Sequence, residues 1–244
     1  AHNGGTPILP IYSTFLQRAY DQIINDLCIN NSNALILVYR ASIYGNKDMT
    51  HLGFNDITML SNMPNLMYLA PTTVEELESF IRYGVEHHNH PIAIRIPVGS
   101  PIYETSQSNT TGCPVTSCNI TQSGNTIAII GVGNFYHKAV ELSHAIHDAI
   151  HIFPTLVKPL CISSLDTDTL NELTKNHNIV ITLEDGELEG GYGQKIASYY
   201  GKTSMNVLNY GISKQFYDRY NPEDVLQQNH LDFEHILDDI QNIQ

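Results

Sequence analysis

The stretch IYSTFLQRAYDQI, residues 11–23, gathers a phenol, two hydroxyls, a phenyl ring and an arginine at the start of a predicted helix. A helix N-terminus offers unpaired N–H groups and the positive end of the helix dipole, and Arg18 adds a charge about one turn later. Tyr12 ends a predicted strand and Phe15 lies at the turn, so both could line a ligand pocket at the carboxyl edge of a sheet. The alternative is that a hydroxyl caps the helix while the rings pack.

A second polar stretch, YRASIYGNKDMTHLG at residues 39–53, follows the predicted strand ALILVY. Histidine side chains exchange protons near neutral pH, so His51 could move protons or hydrogen-bond a carbonyl oxygen, and Arg40 could bind an anionic group. A loop histidine can also be merely solvated. Because neighbouring parallel strands end at one edge of a sheet, this loop and residues 11–23 together predict a site more strongly than either does alone.

A third candidate is the glycine-rich stretch LEDGELEGGYG, residues 183–193. Glycines at a strand-to-helix loop can let backbone N–H groups approach a phosphate. The acidic side chains of Glu184, Asp185, Glu187 and Glu189 would repel that phosphate, and the pattern matches no complete phosphate-binding motif. We therefore interpret it as a structural turn and interface loop.

The cysteines and the histidine run give no metal-ligand pattern. Cys113 and Cys118 are near neighbours without a matching second pair, while Cys28 and Cys161 lie far away, so free thiols are expected. The run HHNH at residues 87–90 follows a helical pattern and precedes a proline, which is typical of a solvated turn. No metal site is predicted.

Short apolar runs rich in β-formers alternate with helical patterns, which is typical of parallel sheets with crossover helices. The predicted strands cover residues 7–12, 34–39, 65–70, 92–96, 126–132, 154–158, 179–183 and 205–210. Helical patterns follow at residues 14–27, 73–81, 139–146 and 166–176, after 193, from 221 and at 233–240. Thr14 with Gln17, and Thr73 with Glu76, stand at the spacing of a capping box.

The composition changes between about residues 99 and 124, where Ser, Thr, Asn and Gly replace large apolar groups. Such a segment predicts a linker between domains. We expect an α/β protein of two domains, at residues 1–103 and 122–244, joined by a linker at 104–121. Each should be a mostly parallel sheet with helices on both faces, and the hydrophobic content of 42% suffices for two cores.

The charge balance limits the classes of partner. Lys and Arg total 12 against 25 Asp and Glu, which gives a formal net charge of -13. This acidity opposes nucleic acid or an anionic membrane as the main partner. We find no apolar run of about 18 residues and no signal-peptide pattern, so we expect a cytoplasmic protein.

Several stretches resemble one known family when they are taken together. They are IYSTFLQRAYDQI, RASIYGNKDMTHLG, MPNLMYLAPTTVEEL, VKPL and TLEDGELEGGYG. They resemble the C-terminal portion of the 1-deoxy-D-xylulose-5-phosphate synthase family, in the transketolase-like, thiamine-diphosphate-dependent group. The resemblance covers nearly the whole chain. It implies most of a pyrimidine-binding domain at residues 1–103 and a transketolase C-terminal domain at 122–244.

The resemblance also implies roles for the candidate residues. Phe15 matches the aromatic that packs against the pyrimidine ring of the cofactor. Tyr12 and Arg18 match residues at the substrate end of the pocket, and Arg40 matches a further substrate-side arginine. His51 matches a catalytic histidine that contacts reacting oxygens.

Two positions depart from the family pattern. Lys47 stands where the family has an aspartate shortly before the histidine, with Asp48 next to it as a displaced substitute. Val98 stands where the family has an arginine that binds phosphate. The loss of either group would cost roughly 1–3 kcal/mol of binding or transition-state stabilisation without compensation.

In the complete family enzyme, thiamine diphosphate and magnesium act on pyruvate and glyceraldehyde 3-phosphate, with loss of carbon dioxide. The domain that binds the diphosphate and magnesium has no match here, and neither does a helix that supplies a cofactor-protonating glutamate. We therefore expect no cofactor binding and no activity from residues 1–244 alone, and a homodimeric complete enzyme. A transketolase-like enzyme with another acceptor and a non-catalytic subunit are the alternatives.

Overall fold

The computed structural model describes residues 1, 3–86, 89–103 and 116–243. The first two histidines of the HHNH run lie outside these ranges. So do Cys113 and most of the predicted linker, residues 104–115.

The first sheet contains, within the described ranges, four parallel strands in the order β1-β2-β4-β3. They are β1 (Ile8–Tyr12), β2 (Leu35–Tyr39), β3 (Met67–Leu69) and β4 (Ile92–Arg95). Between β1 and β2 runs an irregular helix, with a 3-10 segment at Ser13–Ala19, α1 at Tyr20–Gln22 and a π-helical segment at Ile23–Cys28. Helices α2 (Asp56–Leu60) and α3 (Val74–Glu86) follow β2 and β3. The ends of β1 and β2 are adjacent, with Tyr12 opposite Tyr39.

The predicted capping box at Thr14 and Gln17 is wrong. No side chain caps the 3-10 segment. The Thr14 hydroxyl instead donates to the carbonyl oxygen of Thr50, and the Ser13 hydroxyl donates to that of Arg40, both at 3.3 Å. These hydroxyls therefore join the start of the helix to the loop after β2.

The predicted capping box at Thr73 and Glu76 is half present. The Thr73 hydroxyl accepts the backbone N–H of Glu76 at 3.3 Å. The Glu76 carboxylate turns instead to Thr72, where it accepts the backbone N–H at 2.8 Å and the hydroxyl at 3.0 Å. Glu76 is 1% exposed, so its carboxylate faces the interior rather than the helix start.

The second sheet has five strands in the described part of the chain, in the order β5-β7-β6-β8-β9. They are β5 (Cys118–Gln122), β6 (Thr126–Gly131), β7 (Thr155–Pro159), β8 (His177–Glu187) and β9 (Asn206–Ile212). Its helices are α4 (Phe135–Ile150), α5 (Thr167–Leu173), α6 (Tyr192–Tyr200), α7 (Pro222–Gln228) and α8 (Phe233–Ile243). The predicted fold class, two mostly parallel sheets with helices, is confirmed.

Strand β5 lies where the sequence predicted linker. It pairs antiparallel with β7 at the sheet edge, and its residues are half-buried or exposed. An edge strand needs few apolar side chains, which explains why its polar sequence resembles a linker.

The two sheets share apolar packing. One cluster joins Ile36 and Val38 of the first sheet to Ile130, Val157 and Val180 of the second. The apolar core is therefore continuous between the two domains. No helix within the described ranges is long and apolar enough to span a membrane.

Candidate active site

Three predicted site residues contact one another beside the ends of β1 and β2. The rings of Tyr12 and Phe15 stack with centroids 5.8 Å apart and an interplanar angle of 17°. The His51 ring meets Phe15 edge-on, with centroids 5.3 Å apart. We call Tyr12, Phe15 and His51 the aromatic wall.

The aromatic wall is open to solvent. Tyr12 is 40% exposed and Phe15 is 44% exposed, which is high for large rings. A cavity of about 400 Å³ lies beside them, lined by Pro10, Ile11, Tyr12, Phe15 and Tyr39. Flat, apolar faces beside an open cavity can accept another planar ring.

The two predicted arginines are also exposed, but they are placed differently. Arg18 lies in the last turn of the 3-10 segment. Arg40 directly follows β2 with φ of +57°, and its backbone, rather than its guanidinium, contacts the start of the helix. The structure describes no contact between either guanidinium and the aromatic wall, so their predicted substrate roles remain predictions.

The loop after β2 folds back tightly on Arg40. A Cβ atom at Gly53 would lie 2.1 Å from the Arg40 carbonyl oxygen, and one at Gly45 would lie 2.3 Å from it. Both positions require glycine because that contact is closer than a side chain allows. The turn brings the histidine loop back to the edge of the sheet, where the Gly53 carbonyl accepts the Ser42 N–H at 2.8 Å.

His51 ends a short 3-10 helix, Met49–His51, that Asp48 caps. The Asp48 carboxylate accepts the backbone N–H of Thr50 at 2.9 Å and the Thr50 hydroxyl at 2.5 Å. The same hydroxyl lies 2.7 Å from His51 Nδ1, and Asp48 Oδ1 lies 3.6 Å from that nitrogen. Hydrogen bonds from the side chain and backbone of Thr50 lower the pKa of Asp48.

The second domain holds this loop in place, which sequence reasoning missed. The Tyr220 hydroxyl lies 2.9 Å from the carbonyl oxygen of Ile43 and 3.1 Å from that of Asn46. The backbone N–H of Arg219 donates to the Lys47 carbonyl at 2.6 Å. Lys47 therefore contributes its backbone to the tether, and its side chain is exposed. No local pattern in the sequence indicates these contacts.

A buried ion cluster of Arg95, Asp56 and Asp185 joins the two domains. Arg95 Nε donates to Asp56 at 2.7 Å, and Nη1 of the same guanidinium pairs with Asp185. Asn134 donates to the second oxygen of Asp185 at 3.1 Å. Tyr68 donates to Asp56, and burial together with the Asp56 charge raises the pKa of the phenol well above its usual range.

Neighbouring buried acids are also satisfied. Glu76 forms an ion pair with Lys158 across the domain boundary. Glu184 accepts the backbone N–H groups of Tyr192 and Gly193 at the start of α6, at 2.9 and 2.8 Å. Burial raises the pKa of Glu184 to about 7 despite these bonds. The acidic stretch 183–193 thus contributes to a helix cap and to the domain interface.

Val98 lies in a different cavity, of about 380 Å³, between the domains. Its backbone N–H donates to the Asn134 side chain at 3.1 Å, and Tyr44 and His137 also line the space. Across the described residues, no three His, Cys, Asp or Glu side chains lie close enough to hold a metal ion.

Comparison with known proteins defines the class of both domains. Residues 1–100 match the family model of the transketolase pyrimidine-binding domain, and residues 116–236 match that of the transketolase C-terminal domain. The first domain therefore belongs to the family of transketolase pyrimidine-binding domains, and the second belongs to the family of transketolase C-terminal domains. A solved structure described as "split gene transketolase, inactive beta4 tetramer" has the same fold, with a TM-score of 0.85 at 20% identity. That match covers 99% of this chain and 77% of the solved chain.

Several similar curated proteins are 1-deoxy-D-xylulose-5-phosphate synthases. That of Alkaliphilus oremlandii is 34% identical over 98% of this chain. That of Clostridium tetani is 31% identical, and that of Gloeothece citriformis is 34% identical, each over 98% of this chain. The chain spans 38% of the length of each of these relatives.

Proposed function

We propose that this chain forms the pyrimidine-binding and C-terminal domains of a thiamine-diphosphate-dependent 1-deoxy-D-xylulose-5-phosphate synthase. The complete enzyme would condense pyruvate with glyceraldehyde 3-phosphate and release carbon dioxide. The observation that carries the proposal is the aromatic wall, with Phe15 and His51 in edge contact at 5.3 Å. The synthase relatives, which match over 98% of the chain, support it.

The aromatic wall fits the planar aminopyrimidine of the cofactor. Phe15 would pack on that ring and exclude water from one face, and the apolar cavity beside Tyr39 has room for it. The bound cofactor supplies the carbanion chemistry that decarboxylation and carbon–carbon bond formation require. Its diphosphate and magnesium would be held by a domain outside these 244 residues.

The polar residues of the loop would act on the substrates. His51 would hold or move a proton at the acceptor carbonyl oxygen, since an imidazole can donate or accept near neutral pH. Arg18 and Arg40 would neutralise anionic groups of the substrates, for which exposed guanidinium groups are suited. Tyr12 would line the substrate end of the same pocket.

Calorimetry with thiamine diphosphate and magnesium tests the proposal. Residues 1–244 alone should bind neither detectably, whereas the complete protein should bind both and convert pyruvate with glyceraldehyde 3-phosphate. Tight binding by the 244 residues would contradict the need for another domain. A complete protein that binds the cofactor without synthase activity would contradict the assigned reaction.

A different acceptor is the second candidate, which Val98 favours. Val98 stands where the family pattern has an arginine. The cavity beside Val98 is also lined by the apolar side chains of Val74, Leu77 and Ile102. Assays of the complete protein should compare phosphorylated with unphosphorylated aldehydes. Equal or better use of the unphosphorylated aldehyde would favour this candidate over the synthase.

A non-catalytic subunit is the third candidate, since the split transketolase neighbour is described as inactive. In edge strand β1, Ile8 is 47% exposed and Leu9 is 45% exposed. Another domain could cover this apolar surface. Addition of the diphosphate-binding domain should restore activity if the chain is catalytic and should not if it is a non-catalytic subunit.

We propose a homodimer for the complete cytoplasmic enzyme, which light scattering would test against a tetramer.

A further inference from the structure

Asp48, Thr50 and His51 form a hydrogen-bonded series that ends on the histidine ring. Thr50 Oγ1 lies 2.5 Å from Asp48 Oδ1 and 2.7 Å from His51 Nδ1. Both contacts are within hydrogen-bond distance. One hydroxyl thus joins the carboxylate to the ring.

Counting protons fixes the direction of both hydrogen bonds. The ionised Asp48 carboxylate can only accept, and hydrogen bonds from Thr50 favour that ionised form by lowering its pKa. The hydroxyl has one proton, which it must donate to Asp48. Toward His51 the hydroxyl therefore presents only a lone pair, and His51 Nδ1 must carry the proton of that contact.

We propose that Asp48, acting through the Thr50 hydroxyl, holds neutral His51 in its Nδ1–H tautomer and leaves Nε2 free to accept a proton. Asp48 and Thr50 are positioning residues in this scheme, because they act on the substrate through His51. The tautomer assignment stands on this chain's own geometry. Its catalytic use rests on the proposed function.

The assignment defines what His51 can do in the proposed reaction. Neutral His51 can take one proton at Nε2 from a substrate hydroxyl and return it to a substrate oxygen. The imidazolium formed between these steps keeps its Nδ1–H on Thr50, with the negative charge of Asp48 3.6 Å away. Asp48, although displaced by one position from the family's aspartate, would thus orient the same histidine.

Two substitutions separate this role from the capping role of Asp48. Thr50→Val removes the hydroxyl but keeps a side chain of similar shape. It also keeps the backbone N–H of residue 50, which Asp48 accepts at 2.9 Å. Thr50→Ser keeps the hydroxyl and is the matched rescue variant.

Long-range proton–nitrogen NMR of the 15N-labelled 244-residue protein reads the tautomer directly. The spectra are recorded at about pH 8, above the ordinary histidine pKa. The chain has 12 histidines, so His51→Asn assigns the signal by its disappearance. We expect Nδ1–H to dominate in the wild type and in Thr50→Ser, and to lose its majority in Thr50→Val. Backbone amide spectra establish that each variant is folded.

An Nε2–H signal in the wild type, or an unchanged tautomer in folded Thr50→Val, would overturn the proposal. The NMR measurement needs neither cofactor nor activity. An Nδ1–H tautomer in an inactive complete protein would therefore contradict only the proposed function. In an active complete enzyme, Thr50→Val should lower kcat more than it changes KM, and Thr50→Ser should recover the loss.

Discussion

The aromatic wall and the buried ion cluster both collect polar or aromatic groups near strand ends of the first sheet, but they differ in exposure. Phe15 of the wall is 44% exposed, and an open cavity lies beside its ring. Arg95 of the cluster is 2% exposed, and its guanidinium is bonded to two carboxylates. A satisfied, buried group fixes structure, whereas an open and exposed one is available for a ligand.

The two domains also contribute to the candidate site in different ways. The cluster locks β4 of the first domain to β8 of the second through Arg95 and Asp185. The Tyr220 tether then holds the loop that carries His51. The second domain thus acts on the wall indirectly, by fixing the backbone that presents it.

The largest expected effect is on the cluster. Arg95→Met would leave Asp56 and Asp185 buried without their cation and should lower the free energy of unfolding by about 3–5 kcal/mol. Urea denaturation of the 244-residue protein measures it. The matched control is Lys175→Met, which breaks an exposed ion pair with Glu172 and should cost less than about 1 kcal/mol. Equal losses in the two variants would contradict the structural role of the cluster.

The next largest effect is expected from Glu184, as a dependence of the free energy of unfolding on pH. Its pKa is raised from 4.5 to about 7 in the folded protein, so the folded state binds the proton more tightly than the unfolded state does. Its contribution to stability is therefore full below about pH 4.5 and is lost as the pH rises through 7. The expected loss is on the order of 3 kcal/mol.

Glu184→Gln isolates that contribution because glutamine does not titrate. The free energy of unfolding of the wild type minus that of the variant should fall as the pH is raised from 4.5 to above 7. Denaturation at several pH values measures both proteins under the same conditions. A difference that stays constant or rises with pH would show that Glu184 does not titrate in this window.

The Tyr220 tether should give a smaller effect. Tyr220→Phe removes the hydroxyl shared by two carbonyl oxygens and should cost about 1 kcal/mol. It should also speed amide hydrogen exchange in residues 43–51. Tyr217→Phe is the control, because that hydroxyl bonds to Ser213 and Asn229 within the second domain. Faster exchange of the loop in both variants would argue against a specific tether.

The sequence predicted the fold well because periodicity is a local signal. The runs around Leu35, Ile92 and Ile127 appear as buried strands close to their predicted bounds. Strand β5 was missed because an edge strand lacks that periodicity. The alternation of strands and helices thus sufficed for the fold class but not for every boundary.

The site could be predicted only in part. Two neighbouring strand ends brought Tyr12, Phe15 and His51 into one candidate site. The contacts between the two domains join residues that are distant in sequence. Examples are the pairs Arg95 with Asp185 and Tyr220 with Ile43. No local pattern encodes such pairing. Asp48 is linked to His51 through the Thr50 hydroxyl, a contact that the spacing of these residues does not specify.

The smallest effect on stability is expected at the aromatic wall. This prediction tests most directly whether the exposed wall binds a ligand while the buried cluster stabilises the fold. Phe15 is 44% exposed, so Phe15→Ala should change the free energy of unfolding by less than about 1 kcal/mol. In the complete protein it should still weaken thiamine diphosphate binding roughly twofold to tenfold, because a ring contact is worth about 0.5–1.5 kcal/mol. Phe153→Ala is the control: this ring is 58% exposed and stacks on His147, away from the wall. If both variants bind the cofactor equally well, an exposed aromatic at this strand end does not mark the cofactor site.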